Sequence, residues 1–236
     1  MLKTAIILAG GFGTRLKSVV RDVPKPMAPV NGKPFLHYQM LYLKHFGITN
    51  VIFSVGYMHE VIENYFGHSY MDMTITYARE TETLGTGGGI RLALTLCQDK
   101  ETLVLNGDSF FDCDISAVYQ KHRSTRADCT LALRRVENAG RYGTILFNTE
   151  NRITAFIEKT QQPDAGTINA GVYILHKNTY LSHVPAQGAF SIEKDFFEKK
   201  LTHLHFTGIE FNAYFIDIGL PEDYAQAQDD FKRFTY

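Results

Sequence analysis

Tryptophan is absent from the 236-residue chain, and cysteine and net charge are both scarce. The three cysteines, Cys97, Cys113 and Cys129, are widely spaced and form no Cys-x-x-Cys pair. Neither a disulfide framework nor a thiolate zinc site is expected, and a reducing, cytoplasmic setting is. A formal net charge of −1 lacks the cationic excess that binds nucleic acid or an acidic membrane surface. No apolar stretch approaches the roughly 20 residues that cross a bilayer. The run that follows Lys3 is only about six residues, shorter than a signal-peptide core, and leads straight into glycines. Repeats, low-complexity tracts and long linkers are missing as well, and His37, His59 and His176 show no metal-ligand spacing.

What is present alternates. "TAIILA" (Thr4–Ala9) is a continuous apolar run, as in a strand covered on both faces. Phe35–Gly47 carries Leu36, Met40, Leu43 and Phe46 at helical spacing and ends on a glycine suited to a C-cap. "NVIFSVGY", "MTITYA" and "ETLVLNGD" read as further strands, with "HEVIENYFG" and "TGGGIRLALTLC" as the helices between them. After about Ala127 the strand-like runs "ADCTLALRRV", "YGTILFN", "RITAFIEK" and "INAGVYILH" come with less helix between them. They predict a mixed extension of the sheet with some antiparallel pairing. "SIEKDFFEKKLTH" and "LPEDYAQAQDDFKRF" predict amphipathic helices, with "NAYFIDIG" a late strand. The class is α/β: a three-layer α/β/α sandwich on a Rossmann-like, mixed but mainly parallel central sheet.

Clustered glycine costs conformational entropy, and "ILAGGFGTRL" (Ile7–Leu16) holds three glycines before Arg15. The third glycine of a dinucleotide fingerprint is replaced by Leu16, and "NGKP" fails as a P-loop at Pro34. What remains is a strand end with Gly10, Gly11 and Gly13, then a guanidinium. Exposed N–H groups beside a guanidinium suit a polyphosphate, whereas a plain turn does not need Arg15. Next, Asp22–Pro34 is stiffened by four prolines, with Lys25 held between two of them. "LVLNGDSFF" puts Asp108 past the end of a buried strand, the edge where ligands gather in open α/β sheets. Asp217 in "FIDIG" repeats that arrangement, and two such carboxylates could share a Mg²⁺ ion if the fold joins them. Glu158 and Lys159 in "FIEK" sit side by side at another strand end; ordinary surface charge is the competing reading.

These pieces resemble the sugar-1-phosphate nucleotidyltransferases, or nucleotide-sugar pyrophosphorylases. "LAGGFGTRL" followed by "PKPM" is the signature, supported in order by "LGTGGGI", "LNGDSFF", "RYGTI", "FIEK", "NAGVYIL" and "FIDIG" over nearly the whole chain. The resemblance implies the nucleotide-diphospho-sugar transferase fold as one domain over residues 1–236. About 1–126 would serve the nucleotide and about 127–236 the sugar. It implies that Leu8, Ala9, Gly10, Gly11, Gly13, Thr14, Gly85 and Thr86 bind a nucleoside triphosphate, with Arg15 on its triphosphate and Lys25 on the α-phosphate. Asp108 and Asp217 would bind Mg²⁺, Lys159 the sugar phosphate, and Glu158, Asn169 and the backbone of Gly143 and Gly171 the sugar hydroxyls. The partners implied are a nucleoside triphosphate and a sugar 1-phosphate; self-association is left open.

By the same resemblance Glu80 faces the edge of the base. A carboxylate only accepts hydrogen bonds. Guanine presents two adjacent donors, while uracil flanks one donor with two acceptors, so GTP is the expected nucleotide. The resemblance points to a manno-heptose 1-phosphate as acceptor, with mannose 1-phosphate and N-acetylmuramate 1-phosphate as alternatives. Two other classes compete. "DCD" (Asp112–Asp114) matches the D-x-D metal motif of glycosyltransferases, although Asp114 also reads as a helix N-cap. A nucleotide-sugar sensor without activity would be expected to have lost Arg15, Lys25, Asp108 or Asp217, and all four are present.

Overall fold

Successive residues of a strand point to opposite faces, so strands that are apolar at every position need cover on both sides. That is what the chain builds in the computed structural model, which describes residues 2–13, 16, 19–157 and 164–234. The first half lays down Thr4–Leu8 (β1), a short hairpin of Pro29–Val30 (β2) and Lys33–Pro34 (β3), and Phe35–His45 (α1). Asn50–Val55 (β4), His59–Phe66 (α2), Ser69–Tyr70 (β5), Met73–Arg79 (β6) and Gly85–Leu96 (α3) follow. Glu101–Asn106 (β7), Ser109–Phe111 (β8) and Ile115–Thr125 (α4) complete it. The second half adds Cys129–Val136 (β9), Thr144–Phe147 (β10), Ile153–Ile157 (β11), Gly166–His176 (β12) and Lys177–His183 (α5). It ends with Phe206–Glu210 (β13), Phe215–Asp217 (β14) and Pro221–Asp230 (α6).

Eight strands form one sheet in the order β13-β9-β12-β7-β1-β4-β6-β5. β7, β1, β4 and β6 are parallel neighbours, and β9 and β13 pair in parallel. β12 runs against both β7 and β9, and β5 against β6. The expected mixed, mainly parallel sheet is therefore present, with β12 as the reversed strand that lets the second half join the first. Ile7, Phe53, Leu105 and Ile174 face one apolar layer with α1, α2, α4 and α6. Ile6, Ile52, Val104 and Tyr173 face the other with α3 and α5. These are the two outer layers of the α/β/α sandwich.

Three local readings are modified. "YGTILFN" and "RITAFIEK" pair with each other as the β10–β11 hairpin, which touches the main sheet through an isolated bridge from Arg152 to Thr207 and is not one of its eight strands. Of "NAYFIDIG" only Phe215–Asp217 is strand, and it pairs with β8. The helix in "SIEKDFFEKKLTH" winds as a π-helix over Ile192–Glu198, a winding that favours functional positions.

Candidate active site

The carboxyl ends of β1, β4, β6 and β7 lie side by side, so the loops leaving them open on one edge of the sheet. A cleft of about 290 Å³ occupies that edge. Leu8, Gly10, Gly11 and Gly13 enter it from the end of β1, and Asn106 and Asp108 from the end of β7. Ser54, Glu80, Gly85 and Thr86 close the opposite wall. Ala9, adjacent in sequence, is buried, and its N–H is used on Ser54 O at 2.8 Å.

Lys25 is the electrostatic centre. Its ammonium donates to Asp108 Oδ2 at 2.8 Å and to Asp217 Oδ1 at 3.0 Å, and only 7% of its side chain is exposed. The turn "NGD" follows β7, and β8 then pairs antiparallel with β14, setting Asp217 opposite Ser109. Ile218 N–H adds a bond to Asp108 O at 3.1 Å. This pairing is what joins carboxylates more than a hundred residues apart in the chain. The turn is gripped from below by Gln39 on α1, whose Nε2 donates to Asn106 O at 2.8 Å and to Ser109 O at 2.6 Å. Two carbonyls fix which end of that amide faces the turn. Gly13 adopts φ +56°, and a Cβ there would stand 2.7 Å from Lys25 Cβ. The glycine is thus needed both for backbone conformation and for room beside the lysine.

Glu80 is the second fixed charge. Its Oε2 accepts Leu84 N–H at 3.0 Å, and its Oε1 accepts the Ser54 hydroxyl at 3.2 Å. A Cβ on either Gly10 or Gly89 would come within 2.9 Å of Oε1. Part of the glycine richness therefore makes space for a carboxylate, a role the sequence did not reveal. With about four lone-pair positions on a carboxylate, each oxygen keeps one for a ligand.

A second cleft of about 180 Å³ is built by the later half, with Gly143, Asn169, Tyr142 and the π-helical residues Glu193 and Lys194 among its walls. Gly171 is not among the residues that line either cleft. Its N–H is used on Asn169 Oδ1 at 3.0 Å, and at φ +77° it packs against Ser109 and Asn106. Thr14, Arg15, Glu158 and Lys159 lie outside the described residues. Asp114 caps α4, accepting Ser116 N–H at 2.8 Å and Ala117 N–H at 3.1 Å, so in "DCD" it has a local structural role. The three cysteines are buried, and burial pushes the Cys113 thiol up to about 12, which disfavours a thiolate nucleophile.

Ser54 and Asn106 were missed by sequence reading, although both fall at strand ends on the same edge and that position was the available signal. Glu193 and Gln39 gave no such signal, because only tertiary packing brings them near the site.

The nucleotidyl transferase family profile matches residues 4–233, and the chain belongs to that family. A D-glycero-alpha-D-manno-heptose 1-phosphate guanylyltransferase of Aneurinibacillus thermoaerophilus is 45% identical over 98% of this chain and 99% of its own. One of the same name from Campylobacter jejuni is 43% identical over 93% and 96%. Among solved structures, HddC from Yersinia pseudotuberculosis complexed with GMP-PN superposes with a TM-score of 0.83 at 35% identity, covering 98% of this chain and 100% of that one.

Proposed function

We propose that the protein is a D-glycero-α-D-manno-heptose 1-phosphate guanylyltransferase. It transfers GMP from GTP to the sugar 1-phosphate, releases pyrophosphate and forms a GDP-sugar for bacterial surface polysaccharide. The observation that carries this reading is the pairing of Lys25 with Asp108 and Asp217, where Lys25 and Asp108 line a cleft that also holds the fixed Glu80 carboxylate. The two relatives of that name, matched over nearly their whole length, support the choice of sugar.

An oxygen of the sugar phosphate attacks the α-phosphorus, the bond from that phosphorus to the bridging oxygen of the β-phosphate breaks, and pyrophosphate leaves with the electron pair. The attacking phosphate is already anionic, so no general base is required. The obstacle is bringing two anions together, and catalysis is mainly positioning and charge neutralisation. Lys25 has three N–H donors. Two are directed at Asp108 and Asp217, leaving one for a phosphate oxygen. Glu80 receives the N1–H and 2-amino hydrogens of guanine on the acceptor positions left beside Leu84 and Ser54. Asn169 and the backbone of Gly143 orient the sugar in the second cleft. Residues 1–126 and 127–236 thus serve nucleotide and sugar respectively within one domain, and the reducing cytoplasm, where buried thiols persist, is the setting.

Mg²⁺ is proposed as the cofactor. Two carboxylate oxygens close enough to share one ammonium suit a small hard cation. No cluster of three or more His, Cys, Asp or Glu able to hold a metal occurs among the described residues, so phosphate and water oxygens would supply the other ligands. When bound, the ion would neutralise phosphate charge and align the triphosphate.

The test is a matrix of four nucleoside triphosphates against heptose, mannose, glucose and N-acetylmuramate 1-phosphates, scored by pyrophosphate release and product mass. GDP-heptose as the fastest product is the expected result. A faster pairing with UTP or with mannose 1-phosphate replaces the corresponding half of the reading, and no pyrophosphate from any pairing removes it.

A further inference from the structure

One side chain connects the two clefts. Glu193 lines the second, yet its Oε2 accepts the hydroxyl of Thr86, which lines the first, at 3.0 Å. The same oxygen accepts Ser191 Oγ at 2.7 Å. Thr86 Oγ1 in turn accepts Ile192 N–H at 3.0 Å. Phe190 N–H donates to Leu84 O at 3.0 Å, and Gly87 N–H to Phe190 O at 3.0 Å. The start of the π-helix is therefore stapled to the N-terminus of α3, across more than a hundred residues of chain. Through these bonds the Glu193 carboxylate is fixed by Oε2 alone. Oε1 has no hydrogen-bond partner among the described residues, and Glu193 lines a cleft that also contains Asn169 and Tyr142.

We propose that Glu193 is a specificity-determining residue for the sugar, accepting a ring hydroxyl of the pyranose on Oε1 while Thr86 and Ser191 hold Oε2. This rests on the second cleft being the sugar cleft. A carboxylate beside a phosphorylated substrate repels it, so an acid there needs a compensating role. A charged acceptor makes a stronger hydrogen bond to a hydroxyl than a neutral one does, and such a bond discriminates against sugars lacking that hydroxyl.

Glu193→Gln separates this from a purely structural staple. The amide oxygen still accepts from Thr86 and Ser191, while the sugar-facing atom changes from acceptor to donor and the repulsive charge disappears. With GTP and heptose 1-phosphate, KM for the sugar phosphate is expected to rise about tenfold, with KM for GTP within about twofold. Inhibition by inorganic phosphate should be unchanged or stronger. Thr86→Val, which cuts the staple itself, should raise both KM values. A sugar KM in Glu193→Gln equal to or below that of the wild type overturns the assignment while leaving the proposed activity standing. Absence of wild-type turnover on the sugar phosphate overturns both.

Discussion

Replacing Lys25 with Met removes the cation held between Asp108 and Asp217 while keeping most of the side-chain volume. Deleting one partner of a fully buried ion pair costs about 3–5 kcal/mol. Here Lys25 and Asp217 are 7% and 18% exposed, but Asp108 is 44% exposed, so water screens part of the repulsion left behind. Discounting for that screening leaves about 2 kcal/mol. For a chain of this length that corresponds to a fall in Tm of about 4–8 °C in metal-free buffer. Turnover should fall at least about 100-fold, as when one donor to a transition state is removed. The diagnostic measurement is thermal unfolding against Mg²⁺ concentration. A ligand at a hundred times its Kd stabilises the folded state by about 2.7 kcal/mol, enough to recover what the mutation removes. Two carboxylates without their ammonium should bind the ion better than the wild-type pair. The Mg²⁺-induced rise in Tm is therefore expected to be larger in Lys25→Met than in the wild type, although activity does not return. Equal Tm values without metal, or equal Mg²⁺ shifts in the two proteins, would show that the three side chains are not coupled as described.

Glu80→Gln should lower the preference for GTP over UTP by roughly tenfold or more, since its amide donates where guanine also donates; an unchanged ratio of kcat/KM values excludes Glu80 from base recognition. Asp114→Ala removes the cap of α4 and should cost about 1 kcal/mol of stability while leaving pyrophosphate release intact, whereas loss of activity without loss of stability would favour the D-x-D reading. Burial holds the imidazole of His122 down at about 4, against an ordinary 6.5, with Nδ1 bonded to Thr130 Oγ1 at 2.9 Å. The unfolded chain binds this proton more readily, so the contribution is complete above about pH 6.5 and is lost as pH falls toward 4. Up to about 2 kcal/mol should disappear between pH 7 and pH 5. Urea midpoints at the two pH values check this, and His122→Asn should flatten the difference.

The sequence by itself determined the alternation of apolar runs and turns, and with it the layered α/β class. It also determined the glycine turn after β1, the proline-held lysine and the strand-end aspartates. These are local features: strand propensity, backbone freedom and turn chemistry act over a few neighbouring residues and can be read from them. Asp114 as a helix cap was legible for the same reason. The tertiary structure decided which of these groups meet. Asp108 and Asp217 share Lys25 because β8 pairs with β14 in one register, and a slip of one residue would turn Asp217 to the other face. Gly10 and Gly89 make room for Glu80 only because the ends of β1, β6 and α3 converge. The π-winding of Ile192–Glu198 and the bond from Thr86 to Glu193 depend on how the later half packs against α3. Such contacts are set by long-range packing and loop closure, which leave no periodic trace in the residues that make them.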